Sequence, residues 1–207
     1  LRPDLVVVYG SQTDVEQRVG RAGIRVFAYR HGGIADTMTT MRAVGRETGH
    51  AAEADRAASD IERRIAAVRT RVAGQPRPRV MLVVGRDEQA LRGVFVSGGV
   101  GFLHEVLDAA GGSNVFADVR REALQPSTET MLARAPDVII EVHAGTPPPA
   151  AALARERGVW QTLASIPAVR QHRVELLYGG ELVSPGPRLA QVTETFARVL
   201  HPEVFGR

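Results

Sequence analysis

The chain has 207 residues, 44% of them hydrophobic and 24% charged, which is an ordinary globular balance with room for one large domain or two small lobes. It holds no cysteine, so disulfides, thiolate metal sites and a cysteine nucleophile are excluded, and no apolar run reaches the roughly 18 residues of a membrane span. It holds no lysine either, and the acidic residues interleave with the arginines around a net charge of +3, the pattern of a solvated surface and not of a nucleic-acid footprint.

Leu5 to Tyr9 is a continuous apolar run rich in valine, as in a strand buried on both faces. Asp14 to Gly20 reads as a short helix and Ile24 to Tyr29 as a second strand, which makes a βαβ unit. Ile34 to Gly49 turns helical. From Ala51 to Val72 the apolar residues Ala51, Ala54, Ala58, Ile61, Ile65, Val68 and Val72 step by three and four along one stripe. At 1.5 Å per residue this second helix is about 33 Å long, enough to act as a strut across a small domain. Gly74-Gln75-Pro76-Arg77-Pro78 ends it.

Beyond the break, Val80 to Val84 and Val94 to Val96 read as strands and Gly101 to Ala110 as a helix. Ser127 fits the N-cap of a short helix running to Ala135. Val138 to Val142 is a strand, Ala150 to Arg157 a helix, Arg173 to Tyr178 a strand, and Pro187 to Leu200 the final helix. Alternating strands and helices predict an α/β fold with parallel sheets. Pro-Asp followed by an apolar run occurs twice, at Pro3 to Tyr9 and Pro136 to Val142, and each copy leads to a strand ending in tyrosine before a glycine pair. This repetition predicts two βαβ-type lobes joined by the long helix. Their bounds are 1–33 for a remnant first lobe, 34–74 for the connecting helices and 79–207 for the C-terminal lobe.

Enzyme motifs fall short. Gly99-Val100-Gly101 begins a dinucleotide fingerprint, but His104 stands where its third glycine should be. A phosphate loop lacks its lysine, and Ser97-Gly98 lacks the preceding glycine of a nucleophile elbow. The neighbours Asp87 and Glu88 point to different faces and make no acid–base pair. None of the six histidines has zincin spacing. His50, His172 and His201 read as solvated residues and His104 as a helix-face residue. His31 and His143 follow strands directly, where open α/β sheets bind their ligands.

From Arg79 onward four stretches carry a resemblance: Val94 to Leu103, Ala110 to Asp118, Ser127-Thr128-Glu129 with Leu132 to Ile140, and Val183 to Arg188 with Leu200 to Glu203. In this order and spacing, with Pro3 to Val6 and Gly45 to Gly49 before them, the chain resembles the substrate-binding proteins of vitamin B12, haem and ferric-siderophore importers, the cobalamin subgroup most of all. The resemblance implies two lobes joined by one long helix, a periplasmic or extracytoplasmic location, no catalysis and no resident cofactor. In such proteins further strands precede the first Pro-Asp. The chain is therefore expected to hold a truncated first lobe, and no signal segment is seen in it.

The resemblance also implies a partner. These proteins dock on an ABC transporter permease through one glutamate per lobe, and Glu129 matches that of the second lobe. The ligand is expected between the lobes, against Tyr9, Tyr29, His31, Phe95, Ser97, His143, Tyr178 and Arg188. Aromatic faces suit a corrin or porphyrin, His or Tyr a metal axial position, and Arg188 a carboxylate. The stretch Ala123 to Pro126 lacks the aromatic that B12 binders often carry there. A corrinoid is the first expectation for the ligand, with haem or a ferric siderophore second. A third reading is an interaction or sensory module on a shortened scaffold, forming a homo-oligomer through the incomplete first lobe.

Overall fold

In the computed structural model of the chain, the described residues are 3–10, 12–30 and 32–206. Strand β1 (Leu5–Tyr9), helix α1 (Thr13–Arg21) and strand β2 (Arg25–Tyr29) form the expected βαβ unit. The two strands are parallel and in register from Leu5 opposite Arg25 to Tyr9 opposite Tyr29. Helices α2 (Ile34–Glu47) and α3 (Ala51–Val72) follow as a hairpin. Arg42 on α2 bonds Asp55 at 2.9 Å and Glu62 at 2.8 and 2.9 Å on α3, and these two carboxylates hold the guanidinium firmly protonated. Of the predicted stripe on α3, Ala58, Ile61, Ile65, Val68 and Val72 face the core, while Ala51 in the first turn is exposed and Ala54 half-buried.

The rest of the chain builds a six-stranded sheet. In chain order come β3 (Arg79–Gly85), β4 (Phe95–Ser97), α4 (Phe102–Ala109), β5 (Ser113–Asn114), β6 (Ala123–Leu124), α5 (Thr128–Arg134) and β7 (Val138–His143). Then follow α6 (Ala150–Gly158), a 3-10 turn (Val159–Leu163), α7 (Pro167–Arg170), β8 (Val174–Tyr178), a second turn (Gly180–Leu182), α8 (Leu189–Leu200) and α9 (Pro202–Phe205). Across the sheet the order is β6-β4-β3-β7-β8, with β5 beside β3. Strands β3, β5, β7 and β8 are parallel, but β4 runs antiparallel to both β3 and β6. The expected parallel sheet is thus present, and β4 departs from it for a simple reason. Residues 86–94 are fewer than the dozen or so a parallel crossover needs, so the chain turns straight back.

Strand alternation divides the core. Val80, Leu82, Val138, Ile140 and Val142 point to the face covered by α3, α4 and α8. Met81, Val83, Ile139, Val174 and Leu176 point to the other face, with Phe116, Met131 and Trp160. At roughly 25 cal/mol per Å² of apolar area, these two faces of buried aliphatic side chains supply most of the driving force for folding. Ser127 caps α5 by accepting from Thr130 N at 3.1 Å, as predicted. Helix α8 starts at Leu189, past Pro187, because Leu189 N closes a turn onto the Gly186 carbonyl at 3.1 Å. His201, read from the sequence as a surface residue, is only 2% exposed. Its ring fills the space beside Gly111, where an added Cβ would lie 2.6 Å from Nε2.

The Ser97 to Gly101 turn depends on close backbone approach. A Cβ at Gly99 would sit 2.0 Å from the Ala117 carbonyl oxygen, a backbone atom with no freedom to move aside. Gly99→Ala is expected to cost about 1–3 kcal/mol or more by overpacking. A denaturant midpoint equal to wild type would show that this turn is not constrained.

Candidate ligand-binding site

The C-terminal end of β2 and the loop following β8 come together. Tyr9 ends β1 and Tyr29 ends β2, and parallel registry sets their rings 5.7 Å apart, edge to face at 65°. Tyr29 and Val7 form one wall of a cavity of about 460 Å³, with Met41 and Val44 of α2 and with Pro185 and Gly186 from the loop after β8. A second cavity, about 290 Å³, lies between Gly32, Val84, Phe102, Val183 and Pro185. The 183–186 loop thus borders both cavities, and residues near the end of β2 oppose it in each.

Helix α2 is tied in across this junction. Glu105 on α4 accepts the Ile34 N–H at 2.7 Å, so a carboxylate from the large sheet's helix layer serves an orphan donor at the start of α2. A Cβ at Gly33 would lie 1.9 Å from that carboxylate, so the bond requires glycine at this position. Asp36 completes the turn by accepting the Gly33 N–H at 3.1 Å.

The sequence-predicted residues are distributed as follows. His143 and Tyr178 come together: they are in register on β7 and β8, and their rings stack at 4.6 Å with a 10° interplanar angle. Phe95 begins β4 opposite Gly85 and is 46% exposed. Ser97 is buried, with its hydroxyl donating to the Gly98 carbonyl at 3.2 Å, although it contributes to the second cavity's wall. Arg188 immediately precedes α8, exposed, with its guanidinium 3.8 Å from Glu181. Glu129 is exposed in the first turn of α5, well away in sequence from these loops. His31 lies outside the described residues.

Beneath His143 is a buried charged cluster that the sequence reading missed. Glu141 lies on the same face of β7 as His143, and its side chain is 1% exposed. Its Oε2 accepts the Trp160 indole N–H at 3.0 Å, while Arg86 Nε and His143 Nε2 approach Oε1 to 2.8 and 2.9 Å. The last two approaches are close without being aimed along hydrogen-bond directions. Arg86 also donates to Glu156 of α6 at 2.8 Å and to the Asp87 carbonyl at 3.0 Å. Burial pushes the Glu141 carboxyl up, but His143, Trp160 and Arg86 together hold it below the ordinary carboxylate range. Burial raises the Tyr178 hydroxyl, and the Glu141 and Glu156 charges add to the rise.

A signal for this cluster existed. Glu141 interrupts the apolar run Val138 to Val142 inside a strand buried on both faces, and a charge there must be partnered. Arg86 immediately follows the neighbouring strand β3, with Val83 directly opposite Glu141, so the partner was within reach. Among the described residues there is no group of three or more histidine or acidic side chains that would hold a metal ion. The end of the large sheet thus presents the stacked His143 and Tyr178 rings above a buried charged cluster.

Comparison with known proteins agrees with this architecture. The chain is 33% identical over 142 residues to a vitamin B12-binding protein of Salmonella typhimurium, covering 68% of this chain and 52% of that protein. It is 31% identical over 146 residues to a cobalamin-binding protein of Halobacterium salinarum, covering 68% of this chain and 38% of that one. The chain thus spans about half the length of the Salmonella relative. Among solved structures, a periplasmic haem-binding protein of Pseudomonas aeruginosa superimposes with a TM-score of 0.81 at 24% identity, over 99% of this chain and 74% of that one. A periplasmic vitamin B12 binding protein of Vibrio cholerae gives 0.76 at 21% identity, over 96% and 76%. These structural likenesses are of fold. Among the described residues no helix is long and apolar enough to cross a membrane. With residues 1–178 matching its family pattern, the chain belongs to the periplasmic binding protein family.

Proposed function

We propose that this chain is the substrate-binding component of an ABC importer, taking a corrinoid at the strand C-termini and handing it to a membrane permease in the periplasm. The observation that carries the reading is the pairing of aromatic rings at the C-terminal ends of two parallel strand pairs, Tyr9 with Tyr29 on β1 and β2 and His143 with Tyr178 on β7 and β8, in a chain of this family. Such rings offer large flat contact area with few rotors to freeze, which is what a macrocycle face requires. Identity to vitamin B12-binding and cobalamin-binding proteins supports a corrinoid over other metal complexes. Permease docking falls to Glu129, exposed on α5, and the protein catalyses no reaction of its own.

A second reading, haem, draws support from the fold match to haem-binding proteins and from the imidazole at position 143. The two are separated by titrating purified protein with cyanocobalamin and with haemin, following ligand absorbance and the fluorescence of Trp160. Saturable 1:1 binding of cyanocobalamin at micromolar concentration or below is expected. Saturation by haemin alone would move the assignment to haem, and binding of neither would reject the carrier reading. Tyr178→Ala is expected to weaken the cyanocobalamin complex about tenfold, as loss of one aromatic contact should. An unchanged Kd would take Tyr178 out of the site.

A further inference from the structure

Helix α6 lies on the large sheet with little apolar burial. Each of its residues is exposed or only partly buried, and Leu153 meets the core from a partly buried position. Helix α8, by contrast, buries Leu189, Val192, Phe196 and Leu200. The lead-in to α6 is just as open. Residues 144–147 are exposed, and Gly145 holds a φ of +85° where an added Cβ would meet open space, a setting that glycine adopts freely. Pro147, Pro148 and Pro149 then make a stiff arm, since each fixes its own φ. Past α6 the chain is anchored again: Trp160 is fully buried and Leu163 nearly so.

Polar contacts hold the helix down. The Glu156 carboxylate accepts from Arg86 Nη2 at 2.8 Å and from the Gln89 N–H at 3.3 Å, and the Glu156 carbonyl accepts from the same Nη2 at 3.3 Å. The Arg86 and Glu156 side chains are 2% and 16% exposed, so solvent screens this pair weakly. The Arg157–Glu175 pair is 3.9 Å apart at 48% and 41% exposure and adds little. Arg157 also donates its Nε to the Val174 carbonyl at 3.0 Å. A segment with few buried apolar contacts and one strong buried tie opens locally at low free energy.

We propose that residues 144–158 form a hinged strap that pivots at Gly145 and at the junction of α6 with Val159, with the Arg86–Glu156 pair as its latch. Opening parts Glu156 from Arg86 and leaves the sheet intact. Arg86 keeps Glu141 beside it, and Trp160, beyond the second pivot, keeps its bond to Glu141. The strap leaves β7 directly after His143, so it starts at the end of the sheet where His143 and Tyr178 stack. It goes beyond the carrier reading and does not depend on which molecule the chain carries.

Hydrogen exchange of the full chain, resolved by mass spectrometry, tests the strap. In wild type the amides of residues 152–158 should exchange well ahead of those in β7 and α8. Their rates should hardly change at low urea, because local opening exposes little surface. Glu156→Ala should speed this exchange at least tenfold, the loss expected for a charged hydrogen bond, while β7 and α8 keep their wild-type rates. Glu156→Gln retains an acceptor without its charge and should give a smaller rise. Exchange of 152–158 in wild type only together with β7 and α8, with the same urea dependence, would show that no independent strap exists. An unchanged 152–158 rate in Glu156→Ala would remove the latch, and an equal rise in all three regions would make Glu156 a support of the whole fold; either result overturns the proposal.

Discussion

Glu141→Ala is expected to destabilise the protein by about 3–5 kcal/mol, the range for breaking a buried ion pair from one side. The change strands three groups at once. Arg86, with a side chain 2% exposed, keeps only Glu156 as a carboxylate partner; Trp160 loses its acceptor; and His143 loses the charge behind its ring. A stability loss below 1 kcal/mol in urea denaturation would show that water reaches the cluster and screens it. The same carboxylate predicts a pH signature. Its folded-state pKa lies below its ordinary 4.5, so its contribution is present above about pH 4.5 and is lost as pH falls through the folded value. The stability difference between wild type and Glu141→Gln should accordingly be constant from pH 5 to 7 and shrink on further acidification. A difference that grows on acidification would reverse the assigned direction.

The second large effect concerns delivery. Glu129→Arg is expected to reduce permease-stimulated uptake at least tenfold while leaving cobalamin affinity at its wild-type value. Reversing the charge at the proposed docking position costs several kcal/mol of association where that carboxylate is paired across the interface. The fold should tolerate the change. The N-cap bond of α5 comes from Ser127, and Glu129 contributes only its charge at the helix start, worth about 0.3–1 kcal/mol. Measuring uptake in reconstituted vesicles beside solution binding separates the two effects. Wild-type uptake by Glu129→Arg would remove this residue from the docking surface.

Much of the fold could be read directly from residue patterns. The α3 stripe, the Ser127 cap and the paired Pro-Asp strands each follow from local periodicity or capping chemistry, and the structure has all three. The direction of β4 was lost because apolar alternation carries no strand polarity; only the short 86–94 connection encodes it. His201 was misread because its burial depends on the vacancy at Gly111, ninety positions earlier, a tertiary fact with no local trace. The neighbourhood of His143 was only partly legible. His143 and Tyr178 stand out by ending strands, but Arg86, Glu156 and Trp160 join Glu141 only through sheet registry and the packing of α6 and its following turn.

The central claim, that one chain holds one metal macrocycle, is tested most directly by native mass spectrometry of the protein with a small excess of cyanocobalamin. The account predicts a monomer of 22.3 kDa carrying a single cobalamin, with a second equivalent failing to bind. A macrocycle-free monomer at saturating concentrations, or cobalamin retained only by a dimer, would contradict it.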